Sequence, residues 1–550
     1  MTMLRTRGVL VLNRMLFAMA TLLCAFPARA AEKPNVLLIV ADDLGYSDLG
    51  CYGGEIETPH LDALAGNGIR LTRFYNIGRC CPSRACILTG QYPHRVGLGH
   101  MTQDIGRPGY RGRVSPDAQT IAQVLQSGGY RSFIAGKWHL GTEDPTRHGF
   151  EEFYGTLVSA KTFWDQDHFL RLPKDHPRRE YEAEHFYGTD AVTDHAIDFL
   201  NQARETPDKP WFLYLAYNAP HFPLQAPKED IARYADKYHD GWDVAREKRL
   251  ARMKKLGIVP ESTKLTPRSP WWDYGEVNTG TNPEWTSLPE DRRADLARRM
   301  AIYAAMVDRM DQNIGRVVSD LKKTGELDNT MIVFLSDNGA CAEWDPHGFD
   351  IKSSPNNILH AAEKIERMGE PGTFHSAGSG WANASNTPWR LYKHYAHEGG
   401  VASPCIVHFP GRWKRAGEID HRRAHIMDLL PTIADVAGVE YQGKLKLPGS
   451  SLARQMEGKE QVIRSAFYFE HEGNRAVLFG KWKLVALKGQ PWELYDVKKD
   501  RTELNNLIKE KPELAATIAR KWDEWAKENL VTPLPTDYRV PYLKPTGEQK

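Results

Sequence analysis

Three apolar runs, each closing on charged or metal-ligating side chains, limit what this chain can fold into more than any other feature. "PNVLLIVADD" (Pro34 to Asp43) ends in two aspartates, "PWFLYLAYNAPH" (Pro210 to His221) in a histidine, and "NTMIVFLSDNGA" (Asn329 to Ala340) in Asp337 and Asn338. Unbroken apolar runs of this length read as strands buried on both faces, as in parallel sheets. Helical patterns lie between them, at Asp117 to Ser127, at Asp190 to Thr206, and over a long segment from Asp291 to a glycine stop at Gly325. Strand alternating with helix predicts an open α/β sheet, and such sheets bind ligands beyond the carboxyl ends of their strands. Asp42, Asp43, His221, Asp337 and Asn338 are therefore expected to converge. Three carboxylates and an amide oxygen form a hard site suited to Ca2+, with Mg2+ as the second choice. Asp-Asp and Asp-Asn after a strand also serve as helix caps or turns, so neither pair decides the matter alone.

The first thirty residues read as a signal peptide. Arg5, Arg7 and Arg14 precede an apolar run from Met15 to Phe26, and "ARA" at Ala28 to Ala30 fits a cleavage site. The run is short for a membrane span, and no later stretch reaches the ~20 apolar residues that spanning requires. The protein is expected to be exported, to the periplasm or outside the cell, with no membrane span. Removing the leader takes four arginines and no acid, leaving 68 basic against 70 acidic residues. That balance gives no support to nucleic-acid binding by bulk charge. Six cysteines remain, and three of them (Cys80, Cys81, Cys86) crowd around Pro82 with no partner pair at zinc-finger spacing. Few or no disulfides are expected, and a Cys80 to Cys81 bridge would be strained.

"CCPSRACILTG" (Cys80 to Gly90) and "GYRSFIAGKWHLG" (Gly129 to Gly141) resemble the two signatures of the type I, formylglycine-dependent sulfatases. Further landmarks follow in order: the Asp42-Asp43 pair, "NAPHFP" around His221, "SDNG" around Asp337, and "NTPWRLYKHYAHEGG" around Lys393. The resemblance covers Asn35 to about Leu507 and leans toward the arylsulfatase branch of the alkaline phosphatase superfamily. It implies an α/β fold with a large mixed, mostly parallel sheet sandwiched by helices, in a catalytic domain over residues 31–440. A smaller C-terminal α+β subdomain would occupy 441–550.

By the same resemblance Cys80, not Cys81, is the residue oxidised to formylglycine by a maturation enzyme. The resemblance implies that one hydroxyl of the hydrated aldehyde attacks sulfur and expels the alcohol, and that deprotonation of the other ejects sulfate and regenerates the aldehyde, which splits a hard displacement into two steps. Asp42, Asp43, Asp337, Asn338 and the modified Cys80 would hold the metal, and Arg84, Lys137 and Lys393 the sulfate charge. His139 would serve the gem-diol, and His221 with Lys393 the leaving oxygen. The substrate class is a sulfate monoester, either an aryl sulfate or a sulfated glycan. Two alternatives stand beside this reading: a phosphomonoester or phosphonate hydrolase of the same superfamily, and a non-catalytic glycan-binding protein on a sulfatase scaffold.

The segment Lys228 to Asp291 is too long for a simple connection, and Trp271, Trp272, Tyr274 and Trp285 could either wall a substrate or pin the loop. Trp164, Asp165 and His168, in another irregular stretch, are further candidates to face a substrate. Near the C-terminus, Ala424 to Val439 reads as an amphipathic helix, "AVLFGKWKLVAL" and "PWELYDVKKD" as antiparallel strands, and "KPELAATIARKWDEWAKEN" as a closing helix. The proline-rich tail after Leu530 is expected to run extended.

Overall fold

The computed structural model describes residues 33–271, 280–343, 345–351, 357–460 and 464–533. The leader, Trp272, Tyr274 and most of the tail after Leu530 lie outside the described residues.

In chain order the strands are β1 (Asn35–Ala41), β2 (Ile69–Tyr75), β3 (Arg131–Lys137), β4 (Glu152–Thr156), β5 (Leu170–Leu172) and β6 (Trp211–Ala216). A two-residue ribbon follows, β7 (Pro270–Trp271) with β8 (Gly280–Thr281), and then β9 (Thr330–Ser336), β10 (Ala402–His408) and β11 (Glu418–His425). Nine of them form one sheet in the order β11-β2-β10-β9-β1-β6-β3-β4-β5. The centre is parallel, β9-β1-β6-β3, whereas β10 and β5 run antiparallel to their neighbours. The sheet is thus mixed and mostly parallel, as the resemblance implied.

The three apolar runs are the three central strands. Every residue of β6 and β9 is buried, as is all of β1 after Asn35. Alternation sorts their side chains: Leu37 and Ile39 pack on one face with the helices Gly188–Arg204 and Glu290–Lys323. Val36, Leu38 and Val40 pack on the other with Cys80–Thr89 and Leu429–Ala437. The long helix opens on Glu290 and Asp291 and closes on Lys322 and Lys323, matching its dipole at both ends.

Three sequence boundaries shift. The helix expected from Asp117 begins at Ile121, because Thr120 and Gln123 form a reciprocal capping box. The segment from Ala424 is composite: Ala424 and His425 end β11, and a 3-10 turn precedes the helix Leu429–Ala437. "AVLFGKWKLVAL" holds a turn at Gly480, where φ is +54°, and so contributes to two strands. The C-terminal sheet is the antiparallel meander β12 (Ala466–His471), β13 (Asn474–Phe479), β14 (Trp482–Ala486) and β15 (Glu493–Asp496). The closing helix Pro512–Glu528 packs on it, with Trp522 donating to the Phe469 carbonyl.

Candidate active site

Register brings the polar strand ends together. Ala41 pairs with Ser336, Val40 with Ala216, and Gly136 with the same Ala216. The residues that follow, Asp42, Asp337 and Lys137, therefore emerge side by side although they are far apart in sequence. All of them are fully buried.

The signature segment supplies the next layer. Cys80–Thr89 is a helix in which every residue is buried, with Pro82 in the first turn, where a missing N–H costs nothing, and Gly90 ending it at φ +64°. Cys80 stands at its positive, N-terminal end. The doubled cysteine divides by face. Cys81 and Cys86 belong to the apolar core under the sheet, whereas Cys80 lies outside that core. Burial pushes the Cys80 thiol up, opposed by Lys137, Lys393 and Arg79. All six cysteines among the described residues are free thiols.

One helical turn on, Arg84 donates from Nε to Asp337 Oδ2 at 2.8 Å and from Nη1 to the Lys137 carbonyl at 3.1 Å. Its Nη2 lies 3.5 Å from Asp42 Oδ1. Lys137 Nζ bonds Asp42 Oδ2 at 2.6 Å and Ser159 Oγ at 2.9 Å. Lys393 Nζ bonds Asp43 Oδ2 at 2.7 Å, and Asn338 Nδ2 donates to Asp43 Oδ1 at 2.7 Å. His221 Nε2 lies 3.5 Å from Asp43 Oδ2, and its Nδ1 bonds the Phe222 carbonyl. His139 is buried beside Lys137 and Asp42, with Nδ1 unpartnered among the described residues. Asp43 and His139 both adopt left-handed backbone, at φ +66° and +57°, strain of the kind that collects at functional sites. All predicted site residues are thus brought together.

Three carboxylates face three cations, Arg84, Lys137 and Lys393, so the site is formally neutral before any anion enters. Burial favours the neutral acid at Asp42, yet Lys137, His221, Arg84 and Lys393 hold it far below the usual carboxylate range. Burial likewise works against Asp43, and Lys393 with His221 brings it down. At Asp337 burial wins over Arg84, with Asp42 and Asp43 adding to the push, and the carboxyl rises to about 7. A bound cation would favour the ionised form of Asp337. Asp42 Oδ1 and Asn338 Oδ1 are also buried without a hydrogen-bond partner among the described residues, and Asp42, Asp43 and His221 offer ligand atoms within 4.8 Å of one another. The donor set, oxygen-rich with two orphaned oxygens, fits a hard divalent ion.

Comparison with known proteins decides the family. Residues 34–439 match the sulfatase family model, and 388–528 match the model for the C-terminal part of N-sulphoglucosamine sulphohydrolase. The chain belongs to the sulfatase family. This sulfatase is 33% identical to an arylsulfatase of Klebsiella aerogenes over 80% of its own length and 93% of the relative's. An uncharacterized sulfatase of Schizosaccharomyces pombe is 32% identical, over 92% of this chain and 96% of the relative. Among solved structures, that of Ps i-CgsB in complex with k-i-k-neocarrahexaose superimposes with a TM-score of 0.64 at 26% identity, covering 91% of this chain and 94% of the other. The sulfatase is accordingly a sulfuric ester hydrolase.

The structure decides points that the sequence left open. Trp285 is not a wall: it is buried against Trp242 and Trp381, and its indole donates to the His239 carbonyl. Trp164 packs on Tyr187 and donates to the Gly369 carbonyl, while Asp165 and His168 pair with each other. The sequence reading missed Ser159, Arg79, Glu343 and His394. Glu343 accepts from Arg79 at 2.7 Å and from His394 at 3.0 Å, and lies 3.9 Å from Lys393 Nζ. The available signal was adjacency, because Arg79 precedes Cys80 and His394 follows Lys393.

Proposed function

We propose that this sulfatase hydrolyses sulfate monoesters with a formylglycine made from Cys80 and a divalent cation, Ca2+ ahead of Mg2+, held by Asp42, Asp43, Asp337 and Asn338. The observation that carries this is the position of Cys80: it is turned out of the apolar core, at a helix N-terminus, amid the buried cations and carboxylates. A raised thiol is a poor nucleophile at neutral pH, so the unmodified side chain is ill suited to attack sulfur.

In its formylglycine form the residue would supply a hydrated aldehyde, one hydroxyl of which would displace the alcohol from sulfur, while deprotonation of the other would expel sulfate and restore the aldehyde. A cation held by these residues would supply the positive charge that a formally neutral site lacks and could act as a Lewis acid toward the sulfate. Arg84 fixes Asp337 and the Lys137 carbonyl, which orients both sides of the pocket. Lys137 and Lys393 pair with Asp42 and Asp43 and lie ready to neutralise the sulfate. Burial and Lys137 keep His139 neutral, able to take the proton whose loss releases sulfate. Burial holds His221 down to about 4 despite Asp43 and Asp42. An arriving sulfate ester adds negative charge beside it and raises its proton affinity, so that it and Lys393 serve the leaving oxygen.

Relatives named as an arylsulfatase and as an N-acetylglucosamine-6-O-sulfatase, and a structural neighbour solved in complex with k-i-k-neocarrahexaose, support an aryl sulfate or sulfated glycan as substrate. Export through the leader to the periplasm or exterior, and maturation by a formylglycine-generating enzyme, complete the proposal. No helix among the described residues is long and apolar enough to cross a membrane. The test is peptide mass analysis of the native protein across Asn76 to Arg84. Cys80 in which CHO replaces CH2SH supports the proposal, and a free thiol in protein from its own host refutes it.

A further inference from the structure

Lys393 sits in a segment that the chain does not hold by itself. Leu391 and His394, two residues before it and one after, have φ of +62° and +84°, left-handed backbone that is costly for side chains with a Cβ. Loops of the catalytic part hold its middle: Ser269 Oγ accepts from Leu391 N, the Ala340 carbonyl from Lys393 N, and the Gly78 carbonyl from His394 N, while Tyr392 Oη accepts from Asn282 and donates to the Pro270 carbonyl. The ends of the segment are fastened by another part of the chain.

At one end Arg390 Nη1 donates to Glu493 Oε2 at 3.0 Å, to Tyr495 Oη at 2.9 Å and to the Glu503 carbonyl at 3.2 Å. At the other, the Glu398 carboxylate takes Lys483 Nζ at 2.9 Å and Arg501 Nε at 2.6 Å, and its backbone N donates to the Glu503 carboxylate. Lys483 also meets Glu503 Oε1 at 2.8 Å. Lys483, Glu398 and Glu503 are wholly buried, two carboxylates closed by Lys483 and Arg501. Burial disfavours the charges, yet Lys483 and Arg501 hold Glu398 down to about 2, and Glu398 with Glu503 holds Lys483 up. Four of the fastening residues, Lys483, Glu493, Arg501 and Glu503, lie on or just after β14 and β15.

We propose that the C-terminal sheet is a clamp that fixes the strained segment Arg390–Glu398 and so places Lys393 Nζ on Asp43, making Lys483, Glu398 and Glu493 positioning residues for sulfate hydrolysis. The proposal rests on the role given to Lys393 above. A buried ion cluster is a weak source of net stability but a strong source of geometric definition, because any displaced arrangement leaves a charge unpaired. Sub-ångström placement is what positioned catalytic groups require.

The experiment is a double-mutant cycle in the mature full-length enzyme. Glu493→Gln, at a partly exposed rim, loosens one end of the segment without stranding a buried charge; Lys483→Met attacks the other end. Turnover is measured on 4-nitrophenyl sulfate, whose leaving group needs little protonation, and on an alkyl sulfate, whose leaving group needs much. Glu493→Gln should lower kcat roughly tenfold on the alkyl sulfate and far less on the aryl ester, with KM nearly unchanged. Combined with Lys393→Ala it should add less than about a twofold loss, because the two act through one group. Full additivity, or equal losses on both esters, overturns the clamp while leaving the role of Lys393 intact. Unchanged turnover in Lys393→Ala alone instead refutes that role, and the clamp with it. If Lys483→Met does not fold, Glu493→Gln decides the question.

Discussion

Replacing Cys80 and Cys81 one at a time by alanine separates chemistry from packing at adjacent positions. Cys81 lies in the apolar core, so removing its sulfur forfeits transfer and cavity energy of ~1–2 kcal/mol. Unfolding entropy of ~2.1 cal/mol/K per residue over roughly 500 residues gives about 1 kcal/mol/K, so the midpoint should fall by only ~1–2 °C. Activity should remain within about threefold of the parent, because no polar contact of the site passes through Cys81. Cys80→Ala removes the group that becomes the nucleophile and should cost more than ~10⁴-fold in kcat, over about 5 kcal/mol of transition-state stabilisation. None of the ion pairs linking Arg84, Lys137 and Lys393 to the aspartates involves Cys80, so the fold and cation binding should persist. The assay is 4-nitrophenyl sulfate turnover beside thermal unfolding and calorimetric Ca2+ titration, with the protein co-expressed with a maturation enzyme. Equal losses of turnover in the two variants, or loss only in Cys81→Ala, would refute the assignment of the nucleophile.

Chelation should lower the unfolding midpoint by about 3 °C if the cation is present at ~100 times its Kd, a linkage of about 2.7 kcal/mol, and added Ca2+ should restore it. Equal recovery with Mg2+ would overturn the preference for calcium. Stability should fall as pH drops from about 6.5 toward 4, because buried His195, stacked on Tyr154, is held down to about 4 by desolvation. In that window the unfolded chain binds a proton that the folded one refuses, a loss of up to about 3 kcal/mol for this group, and His195→Gln should flatten the pH dependence of the midpoint. Trp285→Ala should cost about 3–5 kcal/mol of stability as a core truncation while kcat of the folded fraction stays unchanged. A selective rise in KM without destabilisation would return Trp285 to the substrate wall.

The residue pattern alone was enough to locate the central strands and the long helix, because a strand buried on both faces must be continuously apolar and a helix must repeat its apolar face. It was also enough to identify Asp42, Asp43, His221, Asp337 and Asn338 as strand-end residues, and the two signatures marked Cys80, Arg84, Lys137 and His139. Local pattern failed where one stretch serves two elements, as at Gly480, whose turn splits AVLFGKWKLVAL into two strands. Tertiary structure decided matters that depend on partners distant in the chain. The register Ala41 to Ser336 sets Asp337 beside Asp43, so that the Asp43 N–H donates to Asp337 Oδ1 across 294 residues of sequence. Helix orientation turns Cys80 out of the core and Cys81 into it, a difference of one residue that composition cannot express. The fastening of the Lys393 segment by Glu493, Lys483 and Glu503 is likewise invisible in sequence. A charge reads as a solvated surface group until folding removes the water around it, and only the packed structure shows which opposite charge takes that water's place.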